Sequence, residues 1–204
     1  MLAEWTADCS EDSPTLVVPW ADPESGLHFV DLRAEPYDIS EIHEIEHYPA
    51  LGRALRSLNA LRSPLFTAKC DAWPLEDEEM LAGLRLELDL DDTASLHGLS
   101  GYIDILWRDR ALFASAHQQQ DRLDKLVRRL ARLTHPHASV ELTLRPAVLE
   151  RETVLEGFAV TVYVTAVAAD APSALREWEL ALEDIVTVLR AREFEVPRTS
   201  ATID

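Results

Sequence analysis

The sequence predicts an α+β fold in which two tandem β-α-β-β units share one mostly antiparallel sheet of about six strands, with helices on one face. Three observations carry that expectation. Apolar residues switch repeatedly between a period near two and a period near 3.6. The order of the switches repeats, and Gly26 and Arg33 fall on Gly101 and Arg108 at an offset of 75. Composition is globular, with 47% hydrophobic and 27% charged residues in a chain of 204. Only 6 Gly and 2 Cys exclude a glycine-rich chain and a disulfide framework.

Taken in order, residues 1–25 hold Pro14, Pro19 and Pro23 among scattered acids and read as an irregular lead-in, with a short edge strand at 16–20. The first unit, 26–92, opens on a strand at 27–33. A helix follows over 39–61, its stripe formed by Leu51, Leu55, Leu58 and Leu61, and Ser63-Pro64 stops it. Strands are expected at 65–73 and 83–91. In the latter, Leu84, Leu86, Leu88 and Leu90 alternate with Arg85, Glu87, Asp89 and Asp91. The second unit, 100–195, has a strand at 101–108, a helix at 112–134 and strands at 139–147 and 157–168. A last helix over 171–192 starts behind Asp170 as cap, with Pro172 in its first turn. Leu51, Arg53, Leu55 and Leu58 fall on Leu126, Arg128, Leu130 and Leu133, and Gly83 falls on Gly157. The units are expected to close into one compact domain. This order is ferredoxin-like and is similar to the effector-binding domains of the gyrase-inhibitor-like group, in which paired units form a small-molecule cleft.

Charge narrows the functions. Residues 1–100 carry 21 acids and 6 bases, and the whole chain has a net charge of −18. Nucleic acid and anionic membrane surfaces are repelled by such a field. The basic stripe of Arg122, Lys125, Arg128, Arg129 and Arg132 reads as a solvated helix face opposite an apolar one. No apolar run approaches the ~20 residues of a membrane span. The first residues lack the basic and apolar regions of a secretory signal, so a cytoplasmic location with reduced Cys9 and Cys70 is expected.

One motif bears on chemistry. His43-Glu44-Ile45-Glu46-His47 matches H-E-x-x-H, and two histidines four apart on a helix can share one Zn²⁺. Over these five residues the chain resembles the zincin metalloproteases. That resemblance implies zinc ligands His43 and His47, with Glu44 as general base. The chain departs from the family at charged Glu46, at Pro49, and at Ala50 and Arg53, where the extended motif has glycine and histidine. The plainer reading turns Ile42 and Ile45 inward and leaves His43, Glu44, Glu46 and His47 in water. No Gly-rich phosphate loop and no G-x-S-x-G elbow is present. Asp89-Leu90-Asp91-Asp92 lacks the spacing of a calcium loop.

The residues opposite the helices then make the candidate ligand face: Asp71, Trp73, Arg85, Glu87, Asp89, Arg145 and Tyr163. An acidic and aromatic lining suits a cationic amphiphile or a basic partner. The principal expectation is a non-catalytic domain binding a small molecule or a protein, without a cofactor. A zinc-dependent hydrolase and a homodimer paired through the open sheet face are the alternatives.

Overall fold

The computed structural model describes residues 1–10, 12–90, 95–150, 152–191 and 203, so Asp91, Asp92 and the expected end of the last unit lie outside the described residues. The architecture is α+β around one six-stranded sheet. In chain order come β1 (Leu2–Ala7), β2 (Leu16–Val18), a 3₁₀ turn (Pro36–Glu41), α1 (Glu44–His47), α2 (Pro49–Asn59) and β3 (Leu65–Leu75). Next are α3 (Glu78–Glu87), β4 (His97–Trp107), α4 (Arg110–Phe113) and α5 (Ala116–Leu130). The chain continues through β5 (Ala138–Glu150), β6 (Val154–Ala168) and α6 (Ala171–Leu189). The sheet order is β1-β5-β6-β4-β3, with β2 also beside β5. Pairs β3–β4, β4–β6 and β5–β6 are antiparallel, and both β1 and β2 run parallel to β5.

The second half follows the expected strand-helix-strand-strand order; the first does not, so the tandem ferredoxin-like repeat is not confirmed. Two expected strands are missing from the first half. Segment 83–91 is largely helical. Asp77 caps α3 by accepting the amides of Glu79 and Met80, and the following residues are strong helix formers. Leucines at 84 and 88 satisfy a strand period and a helix period alike. The deciding pair is Leu81, which joins them on one helix face, and Leu86, which is 83% exposed. Segment 27–33 is irregular and ends in a turn instead of forming a strand, apart from one bridge between Ala21 and His28. There the Asp31 carboxylate takes both the backbone amide and the guanidinium of Arg33, fixing a local turn that competes with pairing. The lead-in also needs correcting, because Leu2–Ala7 is an edge strand in register with 139–144.

Strand alternation divides the sheet into two faces. On the first, α2, α5 and α6 cover Leu99, Ile103, Ile105 and Trp107 of β4 together with Val140, Leu142 and Leu144 of β5 and Val160, Val162 and Val164 of β6. Helices do not occupy that face alone, however. Leu81, Leu84 and Leu88, in and just after α3, pack with Trp73, Leu75 and Val167, so α3 lies across one end of the second face. At the other end, Phe66, Leu106, Ala147, Ala159 and Leu155 of the strands cluster with Phe29 and Ile203. Between these apolar ends runs a polar band.

Helix starts follow local chemistry. Asp109, Ser115 and Asp170 each accept a backbone amide as N-cap, and proline occupies the first turn of α6 as expected. Gln119, fully buried in α5, donates to the carbonyls of Leu112, Phe113 and Phe158, tying α4 and α5 to β6. Gly157 admits Phe113 so closely that an added Cβ would stand 2.5 Å from the Phe113 carbonyl oxygen. Gly157→Ala is therefore expected to cost roughly 1–3 kcal/mol by overpacking, read from urea unfolding; an unchanged midpoint would show that this contact relaxes freely.

Candidate functional site

A broad cavity forms where edge strand β3 bulges. Thr67 pairs with Ile105 and Cys70 with Ile103, so β3 carries one residue more than β4 between these points. Thr67 stays turned toward α2, where its amide donates to Asn59 Oδ1 and its hydroxyl accepts from Asn59 Nδ2. Ala68 instead packs with the second-face cluster, and the Lys69 ammonium sits 4.8 Å over the Trp20 ring. Trp20 Nε1 donates to the Ala68 carbonyl at 3.0 Å, covering an edge group the bulge leaves unpaired.

Around this bulge the turns at 20–32 and residues 41–44 enclose a cavity of about 540 Å³. Val30, Leu32, Ile42 and Leu55 supply its apolar wall. The polar side holds four carboxylates (Asp22, Glu41, Glu44 and Asp71) and the single ammonium of Lys69, with His28 and His43 beside them. His28 Nε2 is 3.4 Å from Glu41. The Ser25 hydroxyl, then the Glu24 amide, hold the Asp22 carboxyl below its ordinary range, so this rim group stays anionic. Cys70 also lines the cavity, but burial, followed by the carboxylates of Glu44, Asp71 and Asp104, pushes its thiol up. A protonated thiol in an acidic surround is a poor nucleophile.

The zinc motif divides here. Helix α1 begins at Glu44 and ends at His47, with His43 as cap and Pro49 opening α2. His43 and Glu44 line the cavity, whereas His47 does not, its ring lying 6.5 Å from that of Tyr48. Among the described residues, no group of three His, Cys, Asp or Glu side chains is placed to hold a metal ion.

The face residues sort differently. The register puts Asp71, Tyr102, Tyr163 and Glu141 in one row across β3, β4, β6 and β5, with Asp104, Thr161 and Thr143 in the next. Trp73 and Arg145 belong to the same face, so four of the seven expected residues meet there: Asp71, Trp73, Arg145 and Tyr163. Glu87 reaches the edge of the face from α3, beside Glu4, Ser139 and Tyr163. Arg85 lies on another side of α3 with Glu78 and Leu86. Asp89 occupies a left-handed turn at φ 53° after α3. Neither joins the face, because the segment is helical instead of extended.

Asp104 and Tyr102 were not among the expected residues. Asp104 is 2% exposed and accepts a hydrogen bond from the Thr161 hydroxyl. Burial raises its pKa, against the lowering effects of Thr161, Arg145 and Lys69. Burial, then Asp104 and Asp71, likewise keeps Tyr102 a phenol. The available signal was a lone carboxylate within Ile103-Asp104-Ile105-Leu106. Among the described residues no helix is long and apolar enough to cross a membrane. No family model, curated protein or solved structure matches the chain.

Proposed function

We propose that this protein is a non-catalytic binding module that takes a small organic cation with an apolar body into the cavity beside the β3 bulge. The observation that carries this reading is the lining: four carboxylates against one ammonium, over Val30, Leu32, Ile42, Leu55 and the Trp20 ring. An ammonium partly removed from water is held by charge-assisted hydrogen bonds, while the apolar wall takes the hydrocarbon. The cavity lies in the size range of small-molecule sites. Face-to-face pairing of two chains is less favoured, since α3 and the cluster around Phe29 and Ile203 interrupt the second face.

Phenethylamine and its uncharged counterpart phenethyl alcohol test the reading by calorimetric titration. The amine is expected to bind at least tenfold more tightly, and Glu44→Gln with Asp71→Asn together to remove that preference. Equal affinity for the alcohol, or a preference untouched in the double variant, would overturn it.

A further inference from the structure

We propose that Ile203 is a latch: seated in the apolar cluster behind the cavity, it braces the wall segment 28–33 and couples its own seating to occupation of the cavity. The change in ligand affinity rests on the amine reading of the cavity; the bracing itself does not.

The wall segment has two sides. His28, Val30 and Leu32 line the cavity. Phe29, between them, packs against the cluster that holds Phe66, Leu106 and Ile203. Arg33 reaches the same side, its guanidinium 4.0 Å over the Phe66 ring. Ala68 is shared, lining the cavity and packing against that cluster. The backbone ties of the segment are mostly local. The Phe29 amide reaches the Trp20 carbonyl at 2.8 Å, while the amides of Leu32, Ala34 and Glu35 turn back to Val30 and Asp31. Leu32 anchors it to the main core, and its other anchors lie on the Ile203 side. A stretch held by so few ties opens more readily than a strand inside the sheet.

Ile203 is held at three points. Its side chain is 4% exposed within the cluster. Its amide donates to the Arg108 carbonyl at 2.7 Å, just past the end of β4. Its carbonyl accepts from Arg33 Nη1 at 3.5 Å. Asp31 takes Nε and Nη2 of the same guanidinium, each at 2.7 Å. One nearly buried arginine thus joins the wall segment, β3 and Ile203. Unseating Ile203 removes an acceptor from that guanidinium and opens the cluster to water, and both losses fall on the segment that carries the wall.

The sign of the coupling follows from position. Ile203 is absent from the cavity lining, so it does not compete for the ligand's space. A wall already held in place costs less to order when a ligand enters, so seating and binding favour one another.

Native-state hydrogen exchange and calorimetric titration with phenethylamine test this on the full chain and on Ile203→Asp, which puts a charge into the cluster. In the variant the amides of Phe29, Leu32 and Ala34 should exchange about tenfold faster or more, while that of Val162 in β6 keeps its rate. Phenethylamine affinity should fall about threefold or more, and saturating phenethylamine should slow exchange of the Ile203 amide in the parent. If Ile203→Asp also loses protection at Val162, Ile203→Ala takes its place, with the same direction and a smaller change. Unchanged exchange at Phe29, Leu32 and Ala34 in the folded variant would overturn the proposal. So would faster exchange there with phenethylamine bound as tightly as by the parent. A parent that takes up no phenethylamine defeats the amine reading instead, and the exchange rates then decide the bracing by themselves.

Discussion

Trp178→Ala should lower stability by about 3–5 kcal/mol, the range for removing a buried aromatic ring from a core. The indole is 1% exposed, Nε1 donates to the Val164 carbonyl at 3.0 Å, and the ring meets Tyr48 edge-on at 6.0 Å. It therefore joins α6, the start of α2 and two central strands at one point. Gly101 is the other half of this contact, since a Cβ there would lie 2.9 Å from the Trp178 ring and 2.8 Å from the Asp71 carbonyl oxygen. In the parent, Gly101→Ala should destabilise by overpacking. In the Trp178→Ala background part of that cost should vanish, giving a coupling energy of roughly 1 kcal/mol between the sites. Urea unfolding of the four proteins measures it. A loss below ~1 kcal/mol for Trp178→Ala would mean that this junction does not organise the core.

Asp104→Asn should have the opposite sign at neutral pH, raising stability by roughly 1–3 kcal/mol, the scale for relieving a desolvated buried group. The amide oxygen can still accept from Thr161, so packing is conserved. The linkage works as follows. A folded-state pKa above the unfolded value means that the native chain holds its proton longer. Below the ordinary carboxylate range both states are protonated, and Asp104 costs nothing electrostatically. As pH rises from there the unfolded chain ionises first, stability falls, and the fall ends only above the raised folded-state pKa. The variant lacks this slope, so the two proteins should converge in acid and separate toward neutrality. A less stable variant at pH 7, or a gap that widens in acid, would show that Asp104 is paired as an ion.

Much of the frame was readable beforehand. Strands β3 to β6 and helices α2, α5 and α6 declare themselves through long apolar periods, and the Asp170 cap with Pro172 fixed the start of α6. Alternation alone put Asp71, Trp73, Arg145 and Tyr163 on one face, because successive side chains of a strand point to opposite sides. The first half was misread where two periods coincide. Leu84 and Leu88 belong to both, and only the Asp77 cap and the packing of Leu81 against the sheet select the helix.

The sequence by itself settled the α+β class, the acidic charge and which residues of the later strands share a side, since these depend on local period and composition. Tertiary structure decided the parallel docking of β1 on β5, the crossing of α3 over the second face and the cavity at the β3 bulge. It also decided the burial of Asp104. Each of these joins residues distant in the chain through hydrogen bonds or desolvation, and such terms exist only once the partner surfaces have met.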